Sequence, residues 1–210
     1  MKEKIVLIGF GGHAKSVIDS IEASGEYKIA GYTDIKNRIN YKGYNFIGTD
    51  RDLHNIYLDG VHNACITVGY MGSSGLRDKL YYMVKETGFK LPVIKDPSAI
   101  ISNSAKIGEG TFIGKGCIVN AESMIGRMCI INTGSIIEHG NIIGDFTHIA
   151  VKTVLCGDIN IGNHCFIGAN STVIQGVVIG ENAVIGAGSV VINDLQSGCT
   201  SVGIPAKPVK

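Results

Sequence analysis

Residues 101–143 read ISNSAKIGEGTFIGKGCIVNAESMIGRMCIINTGSIIEHGNII, and every sixth residue from Ile101 is aliphatic. The series continues without an insertion: Ile101, Ile107, Ile113, Val119, Ile125, Ile131, Ile137, Ile143, Ile149, Leu155, Ile161, Ile167, Val173, Ile179, Ile185 and Val191. Glycine often follows, as at Gly108, Gly114, Gly126, Gly144, Gly162, Gly168, Gly180 and Gly186. Two residues before each aliphatic the side chain is mostly small: Thr111, Cys117, Ser123, Cys129, Ser135, Thr147, Thr153, Cys165, Ser171, Ala183 and Ser189. A period of six matches neither the 3.6 of a helix nor the alternation of a half-buried strand. It predicts a short flat strand and a tight turn, repeated three times per triangular coil. The aliphatic points inward, the small residue fits the corner, and stacked coils bury a continuous column.

Before residue 96 the pattern changes. Lys4–Gly9 predicts a buried strand, Gly9-Phe10-Gly11-Gly12 a tight turn, and His13–Ser24 a helix closed by Gly25. Tyr27–Thr33 and Asn63–Val68 predict two more strands, and Ser73–Thr87 a helix capped by Ser73 or Ser74. Asp96-Pro97 marks a boundary. The expected fold is an α/β half-Rossmann domain over residues 1–95, followed by a left-handed parallel β-helix of hexapeptide repeats over 96–210. Gly9–Ala14 fits G-x-G-x-x-A, and Asp34 follows Ala14 by twenty residues. Glycines let a phosphate approach the backbone, and a helix N-terminus favours an anion. About ninety residues hold only half of a dinucleotide fold, so a nucleotide or nucleotide-sugar is expected rather than NAD, with a purely structural turn as the other reading.

Composition narrows the function classes. With 19 basic and 18 acidic residues, nothing points to nucleic acid. The longest apolar runs are too short for a membrane span. Lys2, Lys4 and the run Ile5–Ile8 resemble a secretory leader only faintly, and a buried first strand explains them better. The six cysteines form no C-x-x-C pair, and Cys117, Cys129 and Cys165 fall in small-residue slots of the repeat. They are expected to be reduced thiols of a cytoplasmic protein.

The GxGGHA start, the unbroken repeat carrying Glu138-His139, and the tail Gly203-Ile204-Pro205-Ala206-Lys207 together resemble the bacterial sugar O/N-acyltransferase family. That family includes sialic acid O-acetyltransferases (NeuD) and UDP-4-amino-sugar N-acetyltransferases (PglD). The resemblance covers essentially the whole chain. It implies a homotrimer with acetyl-CoA in the groove between neighbouring helices. It implies a His139 general base, a second histidine at His148 that contacts the acetyl group, and a Gly157 amide near the thioester carbonyl. Glu138 is a candidate for orienting the base. Nucleotide contacts fall near Gly11, Gly12, His13, Asp34 and Lys36. Coenzyme A contacts are expected at Asn132, Gly157, Gly168, Gly186 and Lys207. Two departures stand out: Gly140 occupies the position where relatives often carry an acid after the base, and Lys152 stands where they often have glycine.

Acyl transfer from a thioester needs a base, an oxyanion donor and alignment of two substrates. His139 lies two residues past inward Ile137, and Gly157 two past inward Leu155, eighteen residues on. The two should stack on adjacent coils. His148 precedes inward Ile149 and should point outward, half a coil away, so that one chain does not bring it to His139. A zinc lyase built on the same helix needs close H-x4-H spacing. The intervals His139–His148–His164 are nine and sixteen, so no metal is expected. The favoured reading is N-acetylation of a UDP-4-amino-sugar. O-acetylation of sialic acid is the alternative within the family, and a catalytically silent trimeric scaffold is the alternative outside it.

Overall fold

The aliphatic ladder fixes the larger half of the molecule. The structure, a computed structural model, describes residues 2–38, 42–72 and 75–209. Each repeat forms a two-residue parallel strand whose second residue is the ladder position, from Ile100–Ile101 to Val190–Val191. From Ile100–Ile101 to Thr172–Val173 the strands pair with those eighteen residues on, as Ile136–Ile137 does with Val154–Leu155 and His148–Ile149 with Phe166–Ile167. Three flat sheets result, one per face of a left-handed β-helix. From Ile113 to Val191 every ladder side chain is at most 4% exposed, so the prism is filled by one aliphatic column.

The small residues do more than fit the corners. The Thr111 hydroxyl donates to the Gly126 carbonyl at 2.8 Å, and Ser123 to Glu138, Ser135 to Ala150 and Thr147 to Gly162 at 2.8–3.0 Å. Cys117 donates to Asn132 over 3.0 Å, and Cys165 to Gly180 over 3.1 Å. Each link ties one corner to the next coil, which explains why Ser, Thr and Cys outnumber Ala there. A buried carbonyl without a donor costs about 1–3 kcal/mol. All six cysteines are free thiols, and burial pushes Cys165 up to about 11. From Gly110 to Gly188 every turn contains a residue with φ near +60°, as at Lys152 (55°) and Asp158 (59°).

The chain divides into two compact units, residues 1–69 with 74–97, and 70–73 with 98–210. In the first, strands β1 (Glu3–Ile8), β2 (Tyr27–Thr33), β3 (Phe46–Gly48) and β4 (Asn63–Ile66) form a parallel sheet ordered β3-β2-β1-β4. Helices α1 (Gly12–Ser24), α2 (Leu53–Leu58) and α3 (Leu76–Thr87) accompany it. Left-handed Gly25 ends α1, its amide donating to the Ile21 carbonyl. Helix α3 begins at Leu76 rather than at Ser73, and Ser73 and Ser74 lie outside the described residues. The sequence pattern does not reveal β3 or α2. Both are short, and three-residue β3 is only half-buried, so neither builds a readable period. In the second unit, Tyr70–Gly72 lies over the face bearing His148, Phe166 and Val184. The Tyr70 hydroxyl donates to the His164 carbonyl at 2.6 Å, and a side chain at Gly72 would strike Val184.

The column predicts a large contrast between two isoleucines on neighbouring strands. Ile149→Ala should cost about 3 kcal/mol, the range for emptied core sites, whereas Ile142→Ala, about half exposed, should cost under about 1 kcal/mol. Chemical denaturation of both variants checks this.

Candidate active site

The Gly9–Gly12 turn is held from two directions. The Phe10 amide donates to Asp34 Oδ2 at 2.9 Å, and the Phe10 ring stacks on Tyr32 with centroids 3.7 Å apart. At Gly9 (φ +90°) a side chain would strike Val68, whereas Cβ atoms at Gly11 and Gly12 would meet nothing within 4 Å. The open side leads to a cavity of about 370 Å³ lined by Gly11, Gly12, His13, Asp34, Arg38 and Asp50, with the apolar Ile8, Leu76 and Leu80. The N-terminal amides of the thirteen-residue α1 begin at this wall, where they favour an anion.

Asp34 is a structural hub of the turn. Its oxygens accept from the Phe10 amide, from the Ile35 amide at 2.8 Å and from Arg38 Nη2 at 3.1 Å. Burial pushes its carboxyl up, but the Arg38 guanidinium and the two amides outweigh burial and hold it below the usual range. Three donors leave about one lone pair for a ligand. The cation lining the cavity, among the described residues, is Arg38 rather than Lys36, which is exposed and outside the lining. Asp50, just beyond β3, also lines it; burial and then the Asp34 charge raise its pKa. Asp50 escapes the sequence reading because β3 does.

In the solenoid, His139 and Gly157 come together as the eighteen-residue spacing requires. A Cβ on Gly157 would lie 2.5 Å from His139 Cε1 and 2.8 Å from Nε2, so the imidazole lies directly over the glycine. Among the described residues the Gly157 amide has no acceptor, while its carbonyl accepts from the Gly176 amide at 3.0 Å. The carboxylate beside the imidazole belongs to Asp158, with Oδ1 3.8 Å from His139 Nδ1. Glu138 makes no side-chain hydrogen bond or ion pair among the described residues, so the arrangement does not bring it to the imidazole. The corner is braced from inside by fully buried Asn141. Its amide donates to the Glu138 and Cys156 carbonyls at 2.5 and 2.9 Å, and its oxygen accepts from the Ile159 amide at 3.2 Å. Asn141 sits two residues before Ile143, a slot otherwise filled mostly by Ser, Thr and Cys; that oddity was its sequence signal.

His148 and Asn132 meet on another face. Nδ1 of His148 is 2.6 Å from the Tyr70 carbonyl, which can only accept, so Nδ1 carries the proton in the neutral ring. Nε2 then accepts from Asn132 Nδ2 at 3.3 Å. His148 opens the strand His148–Ile149 and His139 follows Ile136–Ile137, strands of different sheets, so a single chain does not pair them. Gly168 and Gly186 have a structural reason to lack side chains: Cβ atoms there would come within 2.5 Å of the Ala187 amide and 2.6 Å of Val202. Lys207 is exposed on the strand Lys207–Pro208, antiparallel to Thr200–Val202. No group of three His, Cys, Asp or Glu among the described residues could hold a metal.

Comparisons with known proteins identify the family. The model of the PglD N-terminal domain matches residues 4–84, and that of the hexapeptide repeat of succinyl-transferase matches 158–192. The chain is 35% identical to a GDP-perosamine N-acetyltransferase from Caulobacter crescentus, solved as a histidine-to-alanine variant with CoA and GDP-perosamine. That match has a TM-score of 0.94 and covers 99% of this chain and 97% of the other. The chain belongs to the bacterial sugar O/N-acyltransferase family. Another member, the acetyltransferase domain of PglB from Neisseria gonorrhoeae, was solved with acetyl coenzyme A. It is 31% identical, with both chains fully covered and a TM-score of 0.92. WeeI from Acinetobacter baumannii, 23% identical, shares the fold.

The hub role of Asp34 is testable through pH. Its depressed pKa means that it stabilises the fold above the ordinary carboxylate value and that the stabilisation is lost as pH falls through the native pKa. Asp34→Asn should therefore be less stable by about 1–2 kcal/mol at neutral pH, with the gap closing below about pH 4. Denaturant midpoints across pH measure this; a gap unchanged in acid would contradict it.

Proposed function

We propose that the chain transfers an acetyl group from acetyl-CoA to the amino group of a nucleoside diphosphate 4-amino-sugar, with His139 as general base. The observation that carries this reading is the imidazole lying over Gly157, whose amide has no acceptor among the described residues. Neutral His139 takes the amine proton at Nε2 as nitrogen attacks the thioester carbonyl. The Gly157 N–H meets the oxygen on which charge develops. The C–S bond breaks, and the departing thiolate takes the proton back from the imidazolium. The first unit's cavity receives the nucleotide, with its diphosphate at the α1 N-terminus and Arg38 as the nearby cation.

Acetyl-CoA rather than another acyl donor is supported by the acetyl coenzyme A complex of the PglB relative. Asn132 and His148 form one hydrogen-bonded pair, and we read them with Lys207 as coenzyme A contacts. Because both His148 nitrogens are engaged, its contact with an acyl group runs through ring carbons unless Asn132 turns away. The working assembly is read as a homotrimer whose clefts between neighbouring helices take the cofactor, and the setting as the cytoplasm. No helix among the described residues is long and apolar enough to cross a membrane.

The uridine form of the acceptor is the reading of the sequence; a guanosine form is favoured by the relative bound to GDP-perosamine. Free-thiol release from acetyl-CoA, assayed against UDP- and GDP-linked amino-sugars and sialic acid, separates these. Turnover only with sialic acid would overturn N-acetylation, and none with any acceptor would leave the scaffold reading. His139→Ala should lower kcat by about 10²–10⁴-fold, and unchanged turnover would remove the base assignment. Gly157→Ala should push the imidazole aside and cost about 10²-fold in kcat while leaving the unfolding midpoint near wild type.

A further inference from the structure

One corner of the solenoid carries Glu122, Gly140, Asp158 and Gly176, eighteen residues apart, all with φ between 59° and 73°. At Gly140, immediately after the base, there is no side chain. A Cβ there would lie 2.1 Å from Asp158 Oδ1, so the Asp158 carboxylate occupies the space that a residue-140 side chain would need. Asp158 is tied to the base in two ways. Its amide donates to the His139 carbonyl at 2.9 Å, and Oδ1 is 3.8 Å from His139 Nδ1. Gly157, also without a side chain, lets the imidazole lie flat beside that carboxylate.

We propose that Asp158 is the positioning residue of His139, supplying from the following coil the carboxylate that Gly140 cannot. This inference rests on His139 being the base. A carboxylate at Nδ1 favours the tautomer with the proton there, which leaves Nε2 as the lone pair facing the acceptor. When Nε2 takes the acceptor's proton, the ring becomes a cation and the 3.8 Å separation becomes an ion pair. The other titratable groups around the imidazole are Glu138 beside it in the chain, Glu122 on the preceding coil and Cys156 on the following one. None of these three makes an ion pair or a side-chain hydrogen bond with His139 among the described residues.

The test uses the full-length protein with acetyl-CoA and its best acceptor. Asp158→Asn keeps a residue type that tolerates left-handed backbone. It should lower kcat by about 10–100-fold, the usual range for such supporting partners. KM for acetyl-CoA should hold, so that the loss falls on kcat, as it does when a residue acts through the base and not on cofactor binding. In a second variant the carboxylate moves back one coil: Gly140→Asp combined with Asp158→Gly. This double variant should recover most of the activity that Asp158→Gly alone loses. A wild-type kcat in Asp158→Asn, a loss carried by KM for acetyl-CoA in place of kcat, or a double variant no better than Asp158→Gly would each overturn the proposal. Full activity in His139→Ala would instead overturn the underlying base assignment, so the two failures are distinguishable.

Discussion

Everything in the larger unit depends on one repeated event, the parallel pairing of a two-residue strand with its copy eighteen residues later. Such a strand is too short to be stable alone. Here the inner strands are hydrogen-bonded on both sides and packed on an aliphatic column, and most of their corners are linked by a Ser, Thr or Cys donor to a carbonyl fifteen residues on. The constraint is strict because the side chains alternate: a one-residue slip would turn Ile137 or Leu155 outward and bury a polar neighbour. An uninterrupted register from Ile101 to Val191 is what that constraint leaves in the sequence.

The same register makes the active-site corner rigid. His139 does not stand on a free loop. Its turn is closed by the Gly140 amide donating to the Ala121 carbonyl, and by Asn141 beneath it holding two carbonyls and one amide. A base and an amide donor held one coil apart need little reorganisation during reaction, which is where preorganised electrostatics is most effective. The first unit uses a comparable economy. One carboxylate, Asp34, organises the Phe10 amide, the Ile35 amide and Arg38, so the shape of the cavity beside the Gly9–Gly12 turn and the aim of its cation share a single anchor.

The legibility of the molecule followed its periodicity. Ile113 to Val191, the Gly9–Gly12 turn, α1 with its Gly25 stop, and the stacking of His139 on Gly157 could all be read from spacing, because each is a local or strictly repeating pattern. Strand β3 and helix α2 could not, being too short for a period, and with them Asp50 went unnoticed. Lys36 was expected from the resemblance, whereas Arg38, four residues past Asp34, lines the cavity through a return of the chain that no spacing displays. Asp158 was missed for a different reason: nineteen residues separate it from His139, and a search for a partner beside the base stops at Gly140.

The empty place at Gly140 carries a wider meaning. In a solenoid, successive coils are near copies related by a shift along the axis, so a functional group can leave one coil and reappear on the next with little change in where its atoms end up. Comparison position by position would score this chain as having lost a helper. Comparison by place along the prism finds the Asp158 carboxylate in the room that Gly140 leaves open.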